Sequence, residues 1–456
     1  MLNCLHLIRT RPFFSVAISL GLILAGWFAW RILSPSRDPH IEQLRKRGIP
    51  VTLQELNDFY PAVDPKQNSA LTYEECFATP LFLTVNTKDQ AARKWLPTRG
   101  QPLGEEATQE MRLLLSTNQQ VFRKLHEATG LARYPIDLRD GPEALMPHLA
   151  KIKTGVFLLS SEGLFQAGNK DSEAAVEALL AAQRLADSLL LEPLVVSCLV
   201  RYASINIMLR RLERVMSLVP LSDAQLLRLE VSLARAETNA HLVRALAGET
   251  ALGLGCFHES RHAGWILSGR SSVQPTLSES LRNTAGLSSL KITGFFAKDR
   301  RFFLNSMSAR MAAAELPFPQ RFVSGLNPAA NRPPSQFMIF SRMLLPRFGN
   351  LTEQDTRNIA LLRAARTAIA IERFRLAHQG RMPDELKNLV PDFLSSIAQD
   401  PFTGAPLHYV PEASKYTVYS VNSDLRDDGG LEVEPNSSGP SDLIFSIIPP
   451  VSDRPL

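Results

Sequence analysis

The chain has 456 residues, 45% of them apolar and 21% charged, which is the composition of a globular protein with material for more than one core. Its 50 basic and 45 acidic residues leave a net charge of only +5, too small an excess for a nucleic-acid footprint, which needs a concentrated basic face. The four cysteines, Cys4, Cys76, Cys198 and Cys256, form no CxxC pair, so neither a zinc ribbon nor a thioredoxin-like site is indicated and free buried thiols are expected.

After a short tail over residues 1–12, residues 13–33 predict a transmembrane anchor in contact with membrane lipid. No charge occurs from Pro12 to Trp30. At ~1.5 Å per helical residue such a run crosses a ~30 Å hydrocarbon core. Trp27 and Trp30 sit near one end, where amphipathic rings favour the headgroup layer. The bulky Trp27, Phe28 and Trp30 occupy the place where a signal peptide needs small residues, so the anchor is expected to stay attached. Arg31, Arg37, Arg45, Lys46 and Arg47 follow the span and Arg9 and Arg11 precede it. Taken alone, that distribution puts the large domain in the cytoplasm.

Residues 34–104 read as a stalk or entry region, rich in Pro, Asp and Asn turn formers. Within it, residues 52–60 predict a short helix with a Thr52 cap and Glu55 three residues on. Residues 105–350 predict an α-helical domain with an irregular second half. In SEAAVEALLAAQRLADSL, Ala175, Leu179, Ala182 and Ala186 recur at helical spacing and mark one face. Helices are expected over 194–218 and 222–246, the latter capped by Ser222, with antiparallel neighbours across short links. One tetratricopeptide-like hairpin is visible around residue 170, without a sustained period. Residues 251–350 mix Phe, Arg, Pro and Ser without steady periodicity, and 324–336 (SGLNPAANRPPSQ) predict a loop.

Residues 351–456 predict a small α+β module. Thr352 and Asp355 read as a capping pair for a helix that buries Ile359, Leu362, Ala365 and Ile369 and stops at Gly380. A short helix over 383–390 follows, then a turn at Asp400–Gly404 and strands over 407–410, 416–421 and 443–448. The order of signals is Gly380, Arg381 and Pro383; Asp400, Pro401 and Gly404; Tyr419 and Ser420; Asp424, Gly429 and Gly430; and finally Asp442. This order resembles the soluble half of the major pseudopilin of type II secretion systems. The likeness covers residues 356–447. It implies a periplasmic module on a bacterial inner-membrane protein, against the charge count. It also implies protein partners in the cell envelope, and calcium held by Asp424, Asp428 and Asp442. The competing reading of the loop is an ordinary solvated turn. The chain departs from the family in lacking the Gly-Phe-Thr-Leu-Ile-Glu processing site of prepilins, so a subunit cleaved and polymerised like a pilin is not expected. The fold expected for the whole chain is mainly α: a transmembrane helix, an antiparallel helical domain and the pseudopilin-like module.

One other motif carries chemistry. His258, Glu259 and His262 form H-E-S-R-H. On a helix both imidazoles share a face that can hold zinc, with Glu259 as general base and Glu279 as a third ligand downstream. Arg261 inside the motif and Gly253, Gly255 and Gly264 around it weigh against a zinc helix. The favoured reading is therefore a structural or interaction protein of the envelope rather than an enzyme, and the alternative is a membrane-anchored zinc metallopeptidase.

Overall fold

The computed structural model describes residues 39–84, 95–258, 294–326, 333–348, 350–431 and 441–449. The predicted anchor at 13–33 lies outside the described residues. Among the described residues no helix is long and apolar enough to cross a membrane.

The described chain is mainly helical, with one small antiparallel sheet. Four short helices come first: α1 (Pro39–Lys46), α2 (Leu53–Phe59), α3 (Ser69–Phe77) and α4 (Pro80–Thr84). Thr52 caps α2 as its sequence predicts, accepting the Glu55 N–H at 3.1 Å. These helices do not form an extended stalk. Leu56, Tyr60, Tyr73 and Phe77 are buried in the main core.

Next come α5 (Glu105–Thr117), α6 (Gln119–Glu127), α7 (His148–Gly168), α8 (Ser172–Asp187), α9 (Val195–Leu218), α10 (Asp223–Ala236) and α11 (Ala240–His258). Asp171 caps α8 by accepting the Ala174 N–H. The expected face of α8, Ala175, Leu179, Ala182 and Ala186, is completely buried. Small side chains on that face let α7 and α9 approach closely. A Cβ added at Gly163 of α7 would lie 3.1 Å from the Ala175 carbonyl oxygen. Ser222 and Gln225 form a full capping box at the start of α10. The single helix expected over 222–246 is in fact two. α10 ends at Ala236, and Thr238 accepts the Ala240 N–H to start α11. The break puts Glu237 within reach of Arg363 and Arg366, both at 2.7 Å.

The irregular second half is also corrected. α12 (Phe295–Glu315), α13 (Gln320–Gly325) and α14 (Ile339–Leu344) occupy much of it. Phe303, Leu304, Met307, Met311 and Ala314 of α12 recur at three- and four-residue spacing and are buried. They form a second core with α1, α11, α14 and the beginning of α9. Asp299 ties α14 to α12 by accepting the Phe340 and Ser341 N–H groups.

The last helix, α15 (Leu351–Ala377), lies against β2 (Tyr416–Ser420) and β3 (Leu443–Ile447) of a sheet whose outer strand is β1 (His408–Pro411), ordered β1-β2-β3 and antiparallel throughout. Ile359, Leu362, Ala365 and Ile369 are buried as expected, and the chain leaves α15 through positive φ at Gln379 and Gly380. The short helix expected over 383–390 shrinks to one 3-10 turn, Leu386–Leu389. Thr352 and Asp355 are not a capping pair. Asn350 is the N-cap and makes no side-chain cap bond, while Asp355 points into the protein. It accepts from Tyr202 at 2.6 Å and Arg321 at 3.2 Å. The module therefore does not stand apart. Tyr416, Val418, Phe445 and Ile447 share one core with α7, α8, α9 and α10. Cys76, Cys198 and Cys256 are buried thiols outside any disulfide among the described residues, as expected. Burial raises the Cys76 thiol to about 11 and the Cys198 thiol to about 12.

Candidate functional site

The loop joining β2 to β3 is assembled by three buried polar side chains. Asp400 comes from the turn before β1. Its two oxygens accept the Phe402 N–H at 2.8 Å and the Val421 N–H at 3.0 Å, which pins that turn to the end of β2. Asn422 follows β2 with φ 62°, a left-handed conformation that Asn tolerates. Its amide donates to the Ser441 carbonyl at 2.7 Å and closes the loop across its base. Asp442 precedes β3, and its Oδ2 accepts the N–H groups of Asp428 at 3.0 Å and Gly430 at 2.8 Å.

Among the described residues two oxygens at this base have no partner, Oδ1 of Asp442 and Oδ1 of Asn422, although Asp442 is 5% and Asn422 0% exposed. An orphaned buried oxygen is costly. Burial raises the Asp442 carboxyl above the ordinary carboxylate range, opposed by the two backbone donors and reinforced by Asp428 and Asp427. Asp427 moves the other way, held down chiefly by the Gly429 N–H at 2.9 Å. Tyr419 also donates to Asp427 at 3.0 Å, and the His408 ring stacks on Tyr419 at 4.7 Å. Gly430 has φ 67°, and a Cβ there would lie 2.7 Å from the Tyr419 ring, so this position requires glycine.

The three carboxylates named by the resemblance occupy different places. Asp442 lies inside the base. Asp428 is exposed above it and contributes its backbone N–H. Asp424 turns toward its own loop, where it accepts the Arg426 N–H at 3.3 Å. Among the described residues no group of three or more His, Cys, Asp or Glu side chains is placed to hold a metal ion. The oxygens without a partner among the described residues are instead one carboxylate and one amide oxygen, the types that a hard cation such as calcium takes. Reasoning from sequence missed Asn422. Its only signal was an Asn at the point where an alternating strand ends and an acidic run begins.

Of the zinc motif, His258 is the last residue of α11, while Glu259, His262 and Glu279 lie outside the described residues. A second polar centre, not foreseen from sequence, is buried where α7 meets the start of α9. Glu192 accepts from Ser197 and faces His148 Nε2 at 2.7 Å, and the His148 ring stacks on Tyr134 at 4.3 Å. The carboxylate stands between serine and imidazole. Ser197, Glu192 and His148 are all buried, so this arrangement ties the start of α9 to α7 from inside the protein.

Comparison with protein-family models, with curated proteins and with solved structures finds no match for this chain.

Proposed function

We propose that this protein is a membrane-anchored envelope protein of structural or interaction type. Residues 13–33 hold it in a bacterial inner membrane, and its large C-terminal part is periplasmic and serves a secretion or surface-assembly apparatus. The observation that carries the reading is the build of the last hundred residues. A long helix lies on a three-stranded antiparallel sheet, the Asp400 turn is fixed to β2, and the loop before β3 is gathered on Asp442. That is the order and architecture the pseudopilin resemblance implies. The module's fusion to the helical core favours a fixed platform over an exchangeable filament subunit.

Calcium is part of the proposal. Asp442 and Asn422 would supply side-chain oxygens at the base of the loop, and Asp428 stands above them; Asp424 is the weaker candidate. A bound cation would neutralise the carboxylate that burial disfavours. The test uses the full chain in detergent. Calcium at a hundredfold excess over its dissociation constant stabilises a one-site protein by roughly 2.7 kcal/mol. Melting should therefore occur at higher temperature in calcium than in chelator, with Asp442→Asn abolishing the difference and Asp424→Ala leaving most of it. Identical melting in calcium and chelator rejects the cation. Metal analysis of the same sample decides the competing chemistry. Stoichiometric zinc that disappears in His258→Ala, with hydrolysis lost in Glu259→Gln, would replace this reading with the metallopeptidase.

A further inference from the structure

We propose that the groove between α8 and α10 docks a short acidic amphipathic helix from a partner protein. The inference rests on these two helices and is independent of the C-terminal loop.

α8 and α10 run side by side in the same direction. Gln225 near the start of α10 contacts Ser172 and Glu173 at the start of α8, and Arg201 bridges Asp187 and the Ala236 carbonyl at their far ends. Between them lies an open groove of about 480 Å³. Its floor is apolar: Leu180 from α8, and Leu227 and Val231 from α10. Leu227 is 43% and Val231 40% exposed, one helical turn apart on the same face. Residues 180–187 of α8 line the groove over about 11 Å at ~1.5 Å per residue, which matches two turns of a docked helix.

Charge selects the occupant. At the near end Arg228 is committed to Glu173 and Glu177. At the far end Asp187 is neutralised by Arg201. Arg184 uses one nitrogen on the His126 carbonyl, its Nε has no partner among the described residues, and Arg235 is exposed on the rim. The far end is therefore cationic and suits a carboxylate. A second observation points to a ligand. Gln183, 2% exposed, lines the groove, and among the described residues its Oε1 has no hydrogen-bond partner. Its amide nitrogen is fixed on Asp187 at 2.9 Å, so the orphaned atom is the oxygen, a buried acceptor beneath the groove that a small shift of the side chain would open to a donor.

Two fluorescein-labelled 15-residue helical peptides serve as probes. Both carry leucines at three- and four-residue spacing and one central asparagine; one is flanked by glutamates, the other by lysines. Binding is read by anisotropy to the full chain in zwitterionic lipid nanodiscs, with empty nanodiscs as the blank. The acidic peptide should bind saturably and at least tenfold more tightly than the basic one. Leu227→Asp should abolish saturable binding, and Arg235→Glu should weaken the acidic peptide at least fivefold. Both side chains are exposed, and unchanged circular dichroism confirms that the variants fold. Absence of saturable binding, equal affinity for the two peptides, or binding unmoved by Leu227→Asp overturns the proposal.

Discussion

Glu213 of α9 is the point where removing one charge should loosen three parts of the protein together. It is 3% exposed. Its Oε1 accepts from Arg99 at 2.9 Å and from the Ser446 N–H of β3 at 2.6 Å, and its Oε2 is engaged by Arg214. One turn further along α9, Ser217 accepts the Ile448 N–H at 3.3 Å. Glu213→Gln keeps the size and leaves an acceptor for Ser446, but it removes the negative charge that Glu213 presents to the largely buried Arg99 and Arg214 guanidinium groups. Breaking a buried pair from one side costs about 3–5 kcal/mol. Unfolding entropy of roughly 2.1 cal/mol/K per residue over the described chain gives about 0.7 kcal/mol/K, so the melting temperature should fall by about 4–7 °C. Differential scanning calorimetry measures that drop, and hydrogen exchange follows the amides of residues 443–448. A single transition at the lower temperature is expected, because β3 and α9 share one core. A drop below about 1 °C, or a separate early transition confined to the C-terminal module, would refute the reasoning.

Two further outcomes follow from packing and burial. Gly248→Ala reverses the usual helix preference: alanine normally gains about 1 kcal/mol over glycine inside a helix, yet a Cβ at 248 would lie 1.8 Å from the Pro193 carbonyl oxygen. The variant should lose about 1–3 kcal/mol in a denaturant titration, whereas Gly168→Ala, whose Cβ meets nothing closer than 3.7 Å, should not. His241 is buried, and burial, then the Arg201 charge, lowers it to about 3 against the opposing effect of the Glu192 backbone carbonyl. The unfolded chain binds this proton below about pH 6.5 and the folded chain does not, so stability is full above that pH and falls as pH drops toward 3, by roughly 1.4 kcal/mol per unit. Thermal melts at pH 7 and pH 5 should therefore differ by about 2 kcal/mol more in the wild type than in His241→Leu; equal acid sensitivity would remove His241 as the cause.

What could be read from sequence was local. The α8 face, the Thr52 and Ser222 caps, the Gly380 stop and the Asp400 turn all depend on residues within a few positions of one another, and each appears as expected. The misreadings share a different cause. Asp355 stands where a capping carboxylate would stand, but its partners Tyr202 and Arg321 come from α9 and α13. The break at residues 237–239 positions Glu237 for arginines on α15, more than a hundred residues away. α12 was legible in principle through Phe303, Met307, Met311 and Ala314, but interleaved Arg and Ser obscured that stripe. In the loop after β2 the carboxylates could be found but not their places, because Asn422 bonds to Ser441, far from it in the sequence.

The placement of the large domain outside the cytoplasm tests the account most directly. The assay fuses either alkaline phosphatase, active only outside the cytoplasm, or a fluorescent protein that matures only inside it, after Leu456 of the full chain in a bacterial host. Amino-terminal sequencing of the membrane-extracted fusion is carried out in parallel. The account predicts phosphatase activity, no fluorescence, and retention of residues 13–33. Fluorescence without phosphatase activity, or a mature chain that begins beyond residue 33, would contradict it.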